Sequence, residues 1–221
     1  MCLEHFTISR RWAIIAFFDI RRSFTIGGNW DTPVGKGQKF GSNMNRAADF
    51  ILGGWSANYN LQARSGLPLT VRALDRTGQA VRGNVRANQY GNVPIDKSLR
   101  TVDNWFGLPT DSLGRITPNF CAAGVITGGC SYGQPADGSF GNAGIATERG
   151  PGYFNLDFSV GKRFNVGERN YFDFRVELFN ALNHVSWAPP GLNISAPNTF
   201  GAIGGQVQNP RNIQFGLKYQ F

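Results

Sequence analysis

Strict alternation of apolar and polar residues is the dominant pattern of the chain. It runs without error over residues 211–221, and it recurs in four further segments, 22–31, 55–73, 153–164 and 171–182. Residues of a β-strand point alternately to opposite faces, so a period of two predicts strands with one apolar and one polar face. Alternation by itself does not say whether the apolar face meets a soluble core or lipid.

The lengths of the segments and of their connections favour a membrane barrel. Most segments run to roughly 10 residues or more, against about 5–6 in globular strands and about 9–11 for a strand that crosses a bilayer at a tilt. Read back from the C-terminus, the connections are long (184–210), short (165–170), very long (74–152) and moderate (32–54). Outer-membrane barrels have short periplasmic turns and long outer loops. Within the moderate connection, residues 45–52 are expected to form a helical turn.

Aromatic residues stand at the same end of every predicted strand. If that end faces the periplasm, it carries Trp30, Trp55, Phe164, Tyr171, Phe172, Tyr219 and Phe221. A ring of aromatic side chains at one level is typical of the boundary between lipid and water. A soluble β-sandwich, the alternative fold, has no need of one. The predicted fold class is therefore all-β, an antiparallel transmembrane β-barrel segment of about five or six long strands, incomplete as a barrel, with long extracellular loops.

The opposite strand faces carry polar side chains that we expect to line the barrel lumen. They are Asn58, Asn60, Gln62, Arg64, Asp157, Asp173, Arg175, Glu177 and Lys218. Such residues either contact a plug or solute, or satisfy one another through cross-strand ion pairs and hydrogen bonds. For any single residue the second interpretation is favoured.

Composition and charge agree with a membrane wall and exclude other classes. Only 16% of the residues are charged, 13% are aromatic and 41% are hydrophobic. No apolar run approaches the roughly 18 residues of a membrane-spanning helix. The net charge of +8 comes from cations that are mostly scattered singly, with Arg10-Arg11 and Arg21-Arg22 as the tight clusters. Since nucleic-acid binding needs clustered cations, no nucleic-acid partner is expected.

Candidate chemistry is sparse. Cys121 and Cys130 are close in sequence, which favours a disulfide in an oxidising compartment over two free thiols. The two histidines, His5 and His184, lack metal-ligand spacing to the cysteines, and His184 has no nucleophile motif near it. We therefore expect no enzyme activity, no catalytic or metal site and no cofactor.

Several segments resemble the C-terminal end of TonB-dependent receptors, and more narrowly the Oar-like barrel group. The resemblance is carried by residues 17–40, 53–71, 150–166 (GPGYFNLDFSVGKRFNV) and 172–187 (FDFRVELFNALNHVSW), together with Asn209-Pro210-Arg211 and Phe221. It covers roughly residues 17–73 and 148–221. On this basis 17–221 is predicted to be the C-terminal part of the receptor barrel, with 74–152 as a long extracellular loop, and 1–16 is an atypical N-terminal segment.

The resemblance implies a set of partners. Members of the family have an N-terminal plug domain, a TonB box and a 22-stranded barrel, so this chain would associate with outer-membrane lipid, with the missing N-terminal barrel and plug, and through the full receptor with the TonB complex. The terminal Phe221 resembles the signal read by the barrel assembly machinery. No secretory signal is recognisable, which we expect to reflect missing upstream sequence.

The predicted function is part of an outer-membrane TonB-dependent receptor for solute uptake in a Gram-negative type bacterium. Five strands leave two unpaired edges, so the chain is not expected to transport alone. The alternative is a small self-contained barrel with a binding or adhesin-like role. It needs about eight strands, three of which 1–18 and 74–152 would have to supply. An outer-membrane hydrolase, the enzyme-class alternative, lacks a visible Ser–His arrangement.

Overall fold

The structure, a computed structural model, describes residues 19–79, 84–90, 97–107, 120–121, 131–166 and 169–221. The atypical segment 1–16 lies outside them. The elements in chain order are β1 (Ser23–Asp31), α1 (Arg46–Leu52), β2 (Trp55–Arg64), β3 (Pro68–Leu69), β4 (Arg72–Leu74), β5 (Asn84–Arg86), β6 (Asn88–Gln89), a 3-10 helix (Lys97–Leu99), β7 (Phe120–Cys121), β8 (Tyr132–Gly133), β9 (Glu148–Arg149), β10 (Tyr153–Asn165), β11 (Tyr171–Phe179) and β12 (Asn212–Gln220).

The five long strands form one antiparallel sheet in the order β1-β2-β10-β11-β12. β1 and β12 each pair on one side only, so the sheet formed by the described residues is open. The all-β prediction is confirmed, and with it the period-two reading of the sequence.

The cross-strand register sorts the side chains onto two faces. One apolar row runs Trp30, Ala57, Val160, Val176 and Phe215 across all five strands. In the next row Tyr59 lies beside Gly28, where a Cβ would sit 2.9 Å from the tyrosine hydroxyl oxygen. Glycine thus leaves room for the ring to lie across the neighbouring strand. The apolar face therefore continues from one edge of the sheet to the other.

The longest predicted strand, 55–73, is wrong in its second half. β2 ends at Arg64, and Ser65, Gly66 and Pro68 follow. Glycine weakens a strand, and proline cannot donate to a sheet ladder, so the pairing with β1 and β10 stops there. The alternation nevertheless continues, because Val71 and Ala73 point into a different core and are fully buried in it.

That second core belongs to a compact unit built from the long connections. Residues 67–150 and 190–203, with Asp19, form this unit, which we call the loop unit; the five-stranded sheet belongs to the other. The core of the loop unit comprises Val71, Ala73, Val85, Ala87, Phe106, Tyr132, Ala143, Ile194 and Phe200. Short pairs support it: β3 with β9, β4 with β5, and β6 with β8 and β7. The connections predicted as long loops thus fold together around apolar side chains.

Two smaller predictions have clear outcomes. The helical turn at 45–52 is confirmed as α1, and the Asn45 side chain caps it by accepting the Ala48 N–H at 2.8 Å. The strand predicted over 171–182 ends earlier, at Phe179. Asn180 takes a left-handed conformation with φ of 50°, which an extended strand cannot contain.

Candidate functional site

The polar face of the five-stranded sheet is the candidate site, and its residues are set by register. All nine polar side chains predicted for the lumen fall on this one face. A middle row runs Asn29, Asn58, Ser159, Glu177 and Gln214, and the Asn58 side-chain amide donates to Ser159 Oγ at 3.3 Å. The structure therefore brings together residues that are more than a hundred positions apart in the chain.

Ion pairs occupy the end of this face that lies away from the long connections. The Arg163 guanidinium donates to both carboxylate oxygens of Asp173, at 2.8 and 3.2 Å, and Lys218 is the register partner of Asp173 on β12. Arg175 donates to Glu177 at 3.3 Å. The arginine side chains are exposed and the carboxylates partly so, and solvent-accessible pairs of this kind add little stability each. Together they give the face alternating charges that are matched to one another.

A concave cavity of about 770 Å³ opens on the polar face beside these pairs. Its lining includes Gly161 and Gly216, the two register partners of Arg175 on the neighbouring strands. Because neither glycine carries a side chain, the Arg175 guanidinium projects into open space, and its side chain is 68% exposed. The arrangement presents a cation and paired carboxylates to whatever occupies the concave side of the sheet.

A buried polar network at the other end of the face was missed by sequence reasoning. Asp157 accepts the Asn180 N–H and the Asn155 side-chain amide, both at 3.0 Å, and Asn155 also accepts from Gln208. Asn180, only 4% exposed, donates from its side chain to the carbonyls of His184 and Asn209. Through these hydrogen bonds, the network connects the residue that follows β11 to the segment that precedes β12. The sequence feature that could have indicated this network is the pair of asparagines after β11, since asparagine is common in left-handed turns.

With the exception of Tyr171, the predicted girdle residues within the strands fall on the apolar face by register. Phe172 and Tyr219 pack with ring centroids 4.7 Å apart, and Trp55 meets Phe174 edge-on at 6.4 Å. Trp30 and Phe221 remain largely exposed, and Phe164 contacts Phe50 of α1 at 4.9 Å. The apolar face thus ends in a band of aromatic rings.

Comparison with known families decides what kind of sheet this is. A family described as outer membrane beta barrel domain matches residues 9–214. The chain belongs to this family. No curated protein and no solved structure gives a significant match. The family places the protein in the outer membrane of a Gram-negative type bacterium, as predicted.

The faces of this outer membrane barrel domain can now be assigned. In such barrels the apolar side chains point outward to lipid and the polar ones inward to the lumen. Large apolar residues on β12 are accordingly exposed, with Phe215 and Leu217 each at 70%. The predicted lumen residues all lie on the inward face under this assignment.

Tyr171 is a correction to the predicted aromatic girdle of the barrel domain. By register it pairs with Asn165 and Gln220, so it lies on the polar face rather than with Phe172. Its hydroxyl donates to Gln220 Oε1 at 2.5 Å, and the Arg163 guanidinium stacks 4.1 Å from the ring centroid. Tyr171 and Phe172 are adjacent in sequence, and neighbouring strand residues must face opposite ways.

Lys162 is the reverse case, a charged residue on the lipid face of the barrel domain. It stands between Trp55 and Phe174 in the register and is only 6% exposed. Its ammonium group donates to the main-chain carbonyls of Asp49 and Gly53 and lies over the rings of Trp55 and Phe164. The break in alternation after Val160 was the signal for it.

The remaining candidates of the sequence are one histidine and two cysteines. The His184 ring packs edge-on against Phe154 at 5.3 Å, in keeping with a loop histidine. Cys130 and the Cys121 side chain, which carry the predicted disulfide, fall outside the described residues. Among the residues that are described, no cluster of three or more His, Cys, Asp or Glu is placed to hold a metal ion. No helix within them is long and apolar enough to span a bilayer.

Proposed function

We propose that this outer-membrane barrel segment is the C-terminal part of a TonB-dependent receptor of the Oar-like group, which takes up a solute. One observation carries the proposal: within the described part of the chain the five-stranded sheet is open, with β1 and β12 each paired on one side. In a bilayer every main-chain N–H and C=O must be hydrogen-bonded within the protein, so these edges need further strands. The five segments that resemble the receptor family favour a large barrel as their source.

The polar face is suited to a solute path or a plug. Its ion pairs hold Arg163, Asp173, Arg175 and Glu177 without a buried unpaired charge, and the cavity beside them leaves room for a second polar surface. The four ion-paired residues thus serve two purposes, since they satisfy one another at rest and would offer exchangeable partners to an occupant.

Solute capture is assigned to the loop unit. Binding residues work best when a rigid scaffold holds them in place, and the apolar core of the loop unit supplies that scaffold. Polar contacts tie its two parts together: Ser195 accepts the Leu74 N–H at 2.9 Å and donates to Gln134, and the Trp105 main-chain N–H donates to the Gly201 carbonyl at 2.9 Å. The activity is binding rather than bond-making, with no enzyme chemistry and no cofactor.

Energy for release would come from the inner membrane through the TonB complex and the plug domain, which the resemblance to the receptor family implies as partners. The partners of the segment are therefore outer-membrane lipid, the rest of the barrel with its plug, and the barrel assembly machinery that reads Phe221. No nucleic-acid partner is proposed.

The alternative of a small self-contained barrel has less support. It needs about eight spanning strands. In the described part of 74–152, the strands are two or three residues long, against the roughly 9–11 needed to cross a bilayer.

An antibody against this chain, applied to outer-membrane fractions of the source bacterium, tests the proposal. We expect it to detect a protein several times larger than 24.2 kDa, carrying a plug domain by mass spectrometry of its peptides. A band near 24 kDa whose mobility changes on heating would contradict the receptor assignment and support the small barrel.

A further inference from the structure

The connection between β1 and β2 carries an apolar surface that the receptor function does not use. We propose that this segment, residues 32–54 and called the α1 segment below, is seated in the phospholipid boundary at the end of the barrel wall opposite the long connections. Phe50, Ile51 and Leu52 would contact the acyl chains. The inference goes beyond solute uptake and rests only on the membership of the barrel family.

The α1 segment lies over the lipid face of the wall. The end of its helix contacts three side chains from that face: Phe50 packs against Phe164, the Trp55 indole donates to the Ile51 carbonyl at 2.9 Å, and Lys162 donates to the carbonyls of Asp49 and Gly53. The helix is thus on the outside of the barrel, at the level of the aromatic band.

The outer surface of α1 is apolar and uncovered. Phe50, Ile51 and Leu52 are 51%, 64% and 55% exposed, and no residue of the helix is buried. These three side chains continue the apolar face of the sheet, which the family assignment turns toward lipid. That continuity identifies the bilayer as the occupant.

Carbonyl groups at the end of α1 accept hydrogen bonds from side chains of the barrel wall, as a low-dielectric environment requires. The last carbonyls of a helix have no partner within it, and unpaired carbonyls are costly next to hydrocarbon. Lys162 donates to the Gly53 carbonyl and to that of Asp49, which also accepts the Gly53 N–H, and the Trp55 indole donates to the Ile51 carbonyl. On the other side the Asp49 carboxylate accepts the Lys36 N–H at 2.6 Å, a contact possible because Gly35, with φ of 137°, leaves no Cβ in its path.

The charge of the α1 segment matches anionic lipid. Lys36, Lys39 and Arg46 are exposed, whereas Asp49 is its single acidic residue, so three cations and one anion leave a net charge of +2. An apolar helix surface flanked by cations is the pattern of segments that lie in the interface of an anionic membrane.

Photo-cross-linking tests the inference on the intact chain. The variant Ile51→p-benzoylphenylalanine is reconstituted in vesicles of equal parts phosphatidylcholine and phosphatidylglycerol, irradiated and analysed by mass spectrometry. The matched control carries the same residue at Asn29, which is exposed on the polar face. We expect several-fold more phospholipid adduct at position 51 than at 29. In a K36Q/K39Q/R46Q variant, the phosphatidylglycerol share of the adducts should fall to its share of the vesicle.

Two results would overturn the inference. A protein cross-link at position 51 in place of lipid adducts would show that a second copy or another protein covers the helix. Equal and low adduct yields at 51 and 29, with the β-sheet circular dichroism signal retained, would show that the helix faces water. Neither result bears on solute uptake, so the proposed function is tested separately.

Discussion

Lys162 sets the conformation of the α1 segment from the lipid face of the wall. Among the described residues of the five long strands, it is the charged residue that the register places on the apolar face. Its ammonium group is compatible with that position because main-chain carbonyls and aromatic rings surround it. The role of such a buried cation is to fix the conformation of the segment that it contacts, and not to increase solubility.

Replacing Lys162 by Met should therefore loosen α1 without disturbing the sheet. Charge-assisted hydrogen bonds contribute about 1.5–3 kcal/mol, so opening of the segment should rise by at least about tenfold. Chymotryptic cleavage at Phe50 and Leu52 in detergent measures this rise. Lys39→Met, at an exposed position of the same segment, is the control. Equal cleavage in the two variants would show that Lys162 does not hold the helix.

Tyr132 makes the stability of the loop unit sensitive to alkali. Burial, together with the neighbouring Glu148 carboxylate that accepts its hydroxyl at 2.8 Å, raises the pKa of Tyr132 well above its usual range. Above pH ~10 the unfolded chain loses this proton while the folded chain keeps it, so the folded state is progressively disfavoured. The contribution of Tyr132 is complete below that pH and is lost above it.

The Tyr132→Phe variant should remove this alkaline loss, at a cost of about 1 kcal/mol near neutral pH for the lost hydrogen bond. Glu148→Gln should keep most of it, because burial is the larger cause of the shift. Near-UV circular dichroism against pH measures both effects. An alkaline transition of the same size in Tyr132→Phe would refute the assignment to this residue.

At the scale of elements, the apolar core of the loop unit shows that the two long connections form a folded unit and are not two irregular loops. Phe106 and Phe200 stack with ring centroids 5.0 Å apart and are almost fully buried. They come from different connections, one between β2 and β10 and the other between β11 and β12. Their contact therefore joins the two connections.

Phe200→Ala should destabilise this unit by about 3–5 kcal/mol, as expected for a large aromatic removed from a packed core. Tryptic cleavage within 67–150, which contains the arginines Arg72, Arg76 and Arg86, should accelerate accordingly. Phe140→Ala, which removes a ring that is 63% exposed, should change the cleavage rate little. If the two variants behave alike, the core does not hold the connections together.

The elements also show how far the sequence predicts this fold. Period two located all five long strands, because each has one face in lipid and one in polar surroundings. The strand predicted over 55–73 was too long, because residues that point into the core of the loop unit alternate with polar ones just as residues that face a bilayer do. The prediction for Tyr171 was wrong because it rested on the residue being aromatic and not on the face of the strand to which its position belongs.

The predicted lumen residues follow from alternation alone, and their common face in the structure is a consequence of register. What the sequence does not contain is contact between distant segments. The network around Asn155, Asp157 and Asn180, and the core that joins 67–150 to 190–203, depend on pairings that no local pattern specifies.

At the scale of the whole molecule, the central claim is that the five-stranded sheet is a section of an outer-membrane barrel wall with its apolar face outward. Strand length, the aromatic band, the exposed apolar residues of β12 and the family match agree on this. Solute capture, energy coupling and the lipid contact of α1 all depend on it.

Thiol accessibility along β12 in native outer membranes tests that claim most directly. With the three native cysteines changed to serine, single cysteines are introduced at each position from Asn212 to Gln220 and treated with a small charged thiol reagent. An outward apolar face predicts a labelling period of two: positions 214, 216 and 218 react, and positions 213, 215 and 217 are protected by lipid. Uniform labelling, or the opposite phase, would contradict it.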